Sequence, residues 1–182
     1  MKPIVLSDVL AVGEFPAFEH FEILAKAGFK SIINNQPDGE VDRFPRSEIV
    51  AAEAKRVGLA CLYIPIVSRV PSVGELVAFA KAIKELPGPI YAFCYSGSRS
   101  AAAAAFLMTE TSEVADIVGE LEQAGFDIRS LAPWLQDERA RHVTAAKNAK
   151  ATDPAADALV HALAGPVLAQ SLKDHALEPL AR

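Results

Sequence analysis

The segment that most restricts the fold is PIYAFCYSGSRSAAAAAF, residues 89–106. Its first half is an apolar run with the character of a strand buried on both faces. Its second half is an alanine run that favours helix above every other state. Only a few small and polar residues separate the two. A strand that passes so quickly into a helix is the repeating unit of a parallel α/β sheet.

The rest of the chain repeats that alternation. After a short apolar stretch around Leu10–Val12, FPAFEHFEILAKAGF reads as an amphipathic helix, with Phe18, Phe21, Leu24 and Ala25 on one face and Gly28 as its stop. FKSIINN is a strand and QPDGE a turn; SEIVAAEAKRVG is a second helix and CLYIPIV a second buried strand, followed by the loop SRVPS. SVGELVAFAKAIKELPG is a third helix with Ser72 as N-cap and Pro87-Gly88 as its stop. SEVADIVGELEQAGFD and SLAPWLQDERARH add two more. The expected fold is α/β: a three-layer sandwich whose mostly parallel central sheet is flanked by helices. It occupies residues 1–142. Residues 143–182 form an alanine-rich helical extension, with a linker at Lys147–Asp153 and Leu159, Leu163, Val167 and Leu168 placed to dock on the domain or on a second copy as a homodimer.

The chain has 182 residues and a formal net charge of -5, with no Lys/Arg run to track phosphates, which argues against a nucleic-acid binder. No apolar run approaches the roughly 20 residues of a membrane span. Asp8 and Glu14 interrupt the N-terminal apolar residues, so no signal peptide is read there. Two cysteines, Cys61 and Cys94, make no disulfide framework, and a cytoplasmic location is expected. His20, His142, His161 and His175 show no metal-ligand spacing, so neither metal nor cofactor is expected.

The turn Cys94-Tyr95-Ser96-Gly97-Ser98-Arg99 opens a helix, whose first N–H groups lack intrahelical partners and whose dipole favours an anion. Gly97 lets the backbone curl close to a ligand. Small Ser96 and Ser98 leave room for a nest of N–H groups running from Tyr95 to Arg99. The Arg99 fork matches two oxygens of a phosphate or sulfur oxyanion. Cys94, at the positive end of the helix, is expected to be available as a thiolate nucleophile. Ser100 is expected to hydrogen-bond its sulfur. The predicted substrate is a small anion, a phosphate ester or a sulfane sulfur donor.

CYSGSRS resembles the active-site loops of dual-specificity cysteine phosphatases and of rhodanese sulfurtransferases. AGFKSIINNQPDGE, GLACLYIPI, LPGPIYAFCYSGSRSA and AGFDIRSLAPWL, in that order and spacing, resemble the DUF442 family, a phosphatase-like domain found alone or joined to beta-lactamase-like hydrolases. The resemblance implies a cysteine-phosphatase-like fold and phosphate-monoester hydrolysis through a phosphocysteine. Two features depart from the tyrosine phosphatases: Phe93 stands where they carry His, and the loop between Cys94 and Arg99 is one residue shorter, as in many rhodaneses.

Ester cleavage needs a proton donor for the leaving oxygen. Residues 60–93 contain no Asp, and the loop IVSRVPS offers Arg69 instead, a candidate for recruiting the substrate. The NNQPDGE turn leaves the same carboxyl edge as Cys94, where open α/β sheets bind ligands, which makes Asp38 the first choice of acid and Glu40 the second. Cys61 begins its strand whereas Cys94 ends its own, about 12 Å or more away, beyond the 7 Å or so a disulfide allows. Three functions follow in order: a cysteine-dependent phosphatase, a sulfurtransferase carrying a persulfide on Cys94, and an anion-binding regulatory module.

Overall fold

A computed structural model of the chain describes residues 1–152. The elements run β1 (Ile4–Val5), β2 (Leu10–Glu14), α1 (Phe18–Lys26), β3 (Ser31–Asn34), α2 (Ser47–Arg56), β4 (Ala60–Tyr63), α3 (Val73–Glu85), β5 (Ile90–Cys94), α4 (Ser98–Met108), α5 (Val114–Gln123) and α6 (Ala132–Thr152), with a 3-10 turn at Arg129–Leu131 before α6. The sheet order is β1-β2-β5-β3-β4; β2, β5, β3 and β4 are mutually parallel, and β1 pairs antiparallel with β2. The carboxyl ends of four strands therefore share one edge, with β5 at its centre.

Alternation along β5 divides the core. Tyr91 and Phe93 pack with Phe21, Leu24, Ile32, Val50 and Ala54 under α1 and α2. Ile90 and Ala92 face Val12, Ile33, Phe79 and the alanines of α4. Phe93 and Tyr91 have no exposed surface, and burial of one such ring stabilises the fold by about 2 kcal/mol. Every residue of α4 from Ser100 to Phe106 is buried. A helix apolar on all sides belongs inside a protein. Its alanines let it lie close to the sheet, which brings its N-terminus to the end of β5.

Four details differ from the sequence reading. The apolar stretch at Leu10–Val12 is a full strand, β2, next to β5, and with β1 it makes a short hairpin. β4 is an edge strand with Leu62 and Tyr63 exposed rather than a buried strand; burial resumes at Ile64 and Ile66, beyond its end. Phe18 is 43% exposed, so the buried stripe of α1 is Phe21 and Leu24. Helix α6 runs unbroken past residue 143 to Thr152, through most of the linker expected at Lys147–Asp153. The expected C-terminal helices around Leu159 to Leu168, and the homodimer contact assigned to them, lie outside the described residues. Ser72 caps α3 as read: it accepts from the Glu75 N–H, while the Glu75 carboxylate accepts from the Ser72 N–H. No helix among the described residues is long and apolar enough to cross a membrane.

Candidate active site

Cys94 is the last residue of β5 and is 1% exposed. The chain around it is pinned from both sides: the Asn35 N–H donates to the Phe93 carbonyl (2.7 Å) and the Phe15 N–H to that of Tyr95 (3.3 Å). Gly97, the N-cap of α4, has φ +87°. A Cβ there would meet the Gly13 backbone at 2.9 Å. Both the left-handed backbone and the close approach demand glycine. Gly13 is required in turn, because a Cβ on it would meet the Tyr91 hydroxyl at 2.3 Å; that hydroxyl donates to the Glu14 carbonyl.

This packing sets the helix start against the thiol. The Arg99 N–H donates to Cys94 Sγ at 3.4 Å. The N–H groups of Ser96, Gly97 and Ser98 find no acceptor among the described residues. Together they form an anion nest at the positive end of a buried helix. The Ser96 and Ser98 hydroxyls bond one another at 3.0 Å.

The Arg99 side chain, 11% exposed, turns to the loop after β3. Its Nη1 donates to Glu40 Oε1 (2.9 Å) and to the Ile66 carbonyl (2.8 Å). Its Nη2 donates to Glu40 Oε2 (2.6 Å) and Gln36 Oε1 (3.1 Å). Gln36 Nε2 also donates to Glu40 Oε2. The fifth donor, Nε–H, is not spent on these partners. The guanidinium hydrogen bond, reinforced by Gln36 and opposed by burial, holds the Glu40 carboxyl below its ordinary value. Burial works against the charge on Arg99, but Glu40 and the Cys94 sulfur outweigh it, and the pKa of Arg99 is raised.

Three amide side chains that the sequence reading passed over hold this loop. Asn34 Oδ1 accepts from the Gln36 N–H, Asn35 Nδ2 donates to the Ile64 carbonyl, and Asn35 Oδ1 accepts from Ser100 Oγ. All three residues are buried. Their signal was present: three amides directly continuing an apolar strand must satisfy their own polar groups inside the protein.

The expected residues separate into two groups. Cys94, the loop from Tyr95 to Ser98 and Arg99 come together at the helix start. Asp38 does not join them. Its carboxylate accepts from Ser47 N–H and Ser47 Oγ, both at 2.7 Å, and its own N–H donates to the Tyr63 hydroxyl. It accepts from the first N–H of α2, at the positive end of that helix, and Glu40 is the carboxylate at the cradle. Ser100 is also corrected, since its hydroxyl donates to Asn35 Oδ1 at 2.8 Å and not to sulfur. Arg69 is exposed, and its charge acts on Asp127. Cys61 is paired across Ile32 with Tyr91, two strands over and three residues below Cys94. From strand rise and spacing the separation is about 14 Å. Both thiols are free, and burial pushes that of Cys61 up to about 11. Among the described residues, no group of three His, Cys, Asp or Glu is arranged to hold a metal ion.

Residues 5–109, which include every group of this cradle, match the family model for the beta-lactamase hydrolase-like protein, phosphatase-like domain. A beta-lactamase hydrolase-like protein of Xylella fastidiosa is 32% identical over 143 residues, 75% of this chain and 32% of that protein. The chain thus spans about a third of the length of the curated relatives it matches. A crystal structure from Neisseria meningitidis, of a protein proposed to be a phosphatase, superposes with TM-score 0.68 at 22% identity, covering 75% of this chain and 97% of that one. PTPMT1 in complex with PI(5)P superposes with TM-score 0.64 at 15% identity, covering 79% and 98%. The architecture is that of the cysteine phosphatases, and the chain belongs to the beta-lactamase hydrolase-like phosphatase-like domain family.

Proposed function

We propose that this member of the phosphatase-like family is a cysteine-dependent phosphatase acting on a phosphate monoester. The observation that carries the reading is the Arg99 N–H on Cys94 Sγ beside three unbonded amides at the start of a buried helix. The sulfur attacks phosphorus, the P–O bond to the leaving group breaks, and phosphocysteine forms. Water then attacks phosphorus, and orthophosphate leaves as the thiolate is restored. The amides of residues 95–99 and the Arg99 Nε–H hold the equatorial oxygens. Each such preorganised donor is worth roughly 3 kcal/mol of barrier.

Glu40 serves as a positioning residue. Bound twice by Arg99 and held ionised, it fixes the fork and keeps no proton to give. Asp38, occupied with Ser47, does not protonate the leaving oxygen in this arrangement. The chemistry therefore favours esters whose leaving oxygen is stable as an anion, with the proton supplied by solvent.

That engagement of Asp38 also supports a second reading, sulfur transfer. The Cys94 thiolate would attack the outer sulfur of thiosulfate, break the S–S bond, release sulfite with the bonding pair, and pass the persulfide sulfur to an acceptor thiol. No proton donor is needed. Turnover of a small aryl phosphate without added metal, in the wild type and Cys94→Ser, separates the two. Loss of turnover on substitution supports the phosphatase reading, and inactivity of both proteins refutes it.

A further inference from the structure

Beside the cradle stands a second cation that the chemistry above does not use. Arg43 lies over the rings of Phe44 and Tyr95, 5.2 and 5.3 Å from their centroids, and its Nη2 donates to the Tyr95 hydroxyl at 2.9 Å. Phe44 is itself stacked on Phe15 with centroids 4.2 Å apart, and Phe15 bonds the reactive loop through the Tyr95 carbonyl. Arg43 is exposed, yet rings and a hydroxyl hold it in one place next to the residue that follows the nucleophile.

Its charge is uncompensated. Arg56, Arg99, Arg129, Arg139 and Arg141 each have a carboxylate within ion-pair reach, and among the described residues Arg43 has none. Arg46 and Arg69 share that lack, but neither hydrogen-bonds to the reactive loop. Because Glu40 pairs with Arg99, Arg43 is the guanidinium beside the reactive loop that has no ion-pair partner among the described residues. Its contact with the exposed Tyr95 ring sets it beside the reactive loop on the solvent side, where a group carried by the substrate outside the nest can meet it.

We infer that Arg43, carried on Tyr95 and Phe44, is a subsite for a second phosphate on the leaving group, so that the substrate class is an organic bisphosphate. The inference rests on the anion cradle of the proposed function. Cys94→Ser protein, titrated calorimetrically with phenyl phosphate and with 1,4-phenylene bisphosphate, tests both without requiring turnover. The bisphosphate is expected to bind about ten-fold more tightly, beyond the two-fold advantage of its two identical ends, as one charge-assisted arginine contact provides. Adding Arg43→Gln removes that preference, and Tyr95→Phe, which keeps the ring and loses the anchor, removes part of it. Equal binding of the two ligands by the Cys94→Ser protein, or a preference that survives Arg43→Gln, overturns the subsite and leaves the cradle standing. Binding of neither ligand overturns the cradle and the subsite together.

Discussion

Two loops leave the same edge of the sheet and meet over the same thiol, and they are built on different principles. The loop after β5 is short and works through its backbone: its conformation follows from Gly97, from Gly13 beneath it, and from a buried helix that cannot move away. The loop after β3, residues 35–46, is long, and it works through side chains that reach across the pocket. Gln36 and Glu40 seize Arg99, Asp38 turns outward to Ser47, and Arg43 lies on Tyr95. A site part made of backbone depends on a few small residues; a part made of side chains depends on which of several similar groups points inward.

The sharpest way to break this contrast is at Gly97. Gly97→Ala forces a Cβ into the Gly13 backbone at φ +87°. It should cost about 2 kcal/mol or more in denaturant unfolding. Misplaced amides should lower kcat/KM by roughly a hundredfold or more. Near-normal activity in that variant would mean that the backbone nest is not what the reaction uses.

Next in size is Glu40→Gln, which keeps the shape and removes the charge that steadies Arg99. A fall in kcat/KM of roughly ten-fold is expected from the lost charge-assisted pair. The stability effect has a defined pH window. The folded protein binds the Glu40 proton more weakly than the unfolded chain, whose ordinary value is 4.5. The stabilisation is therefore present above 4.5 and is lost as the pH falls through the lower folded value. Unfolding curves of the wild type and Glu40→Gln should diverge above pH 4.5 and converge in acid; a gap that widens in acid would contradict the assignment.

Asp38→Asn is expected to remove a negative charge from the start of α2, costing about 0.5 kcal/mol and changing turnover by no more than about two-fold, since no barrier contribution is assigned to it. A large fall in kcat with the loss of one limb of the pH profile would show that this carboxylate reaches the substrate after all. The smallest effect is expected at Arg69→Ala, within about two-fold in KM, because an exposed charge away from the cradle contributes little. A selective rise in KM there would return Arg69 to the substrate-recruiting role suggested by its loop.

The same contrast explains what was legible in the sequence. Strand, thiol, glycine, arginine and alanine helix are adjacent in the chain, so their meeting in space is a local matter and could be read directly. β2 shows in the sequence only as a short apolar stretch, because its neighbour β5 lies far along the chain and nothing local marks their pairing. The choice between Asp38 and Glu40 was beyond a linear reading. Both carboxylates sit in one turn, two residues apart. Ser47 supplied an N–H and a hydroxyl for the first, and Arg99 supplied a fork for the second. Asn35 shows the general rule. An amide that ties its own loop to the end of β4 and to α4 has no signature except that it must be satisfied once buried.

The central claim is that Cys94 itself carries the phosphoryl group. Its most direct test is mass spectrometry of the Cys94 peptide from wild-type protein quenched in acid during turnover of an aryl phosphate, with a parallel sample exposed to thiosulfate. A phosphate adduct on Cys94 is expected in the first sample and an unmodified thiol in the second. A sulfur adduct from thiosulfate, with Cys94 never phosphorylated, would contradict it and assign the loop to sulfur transfer.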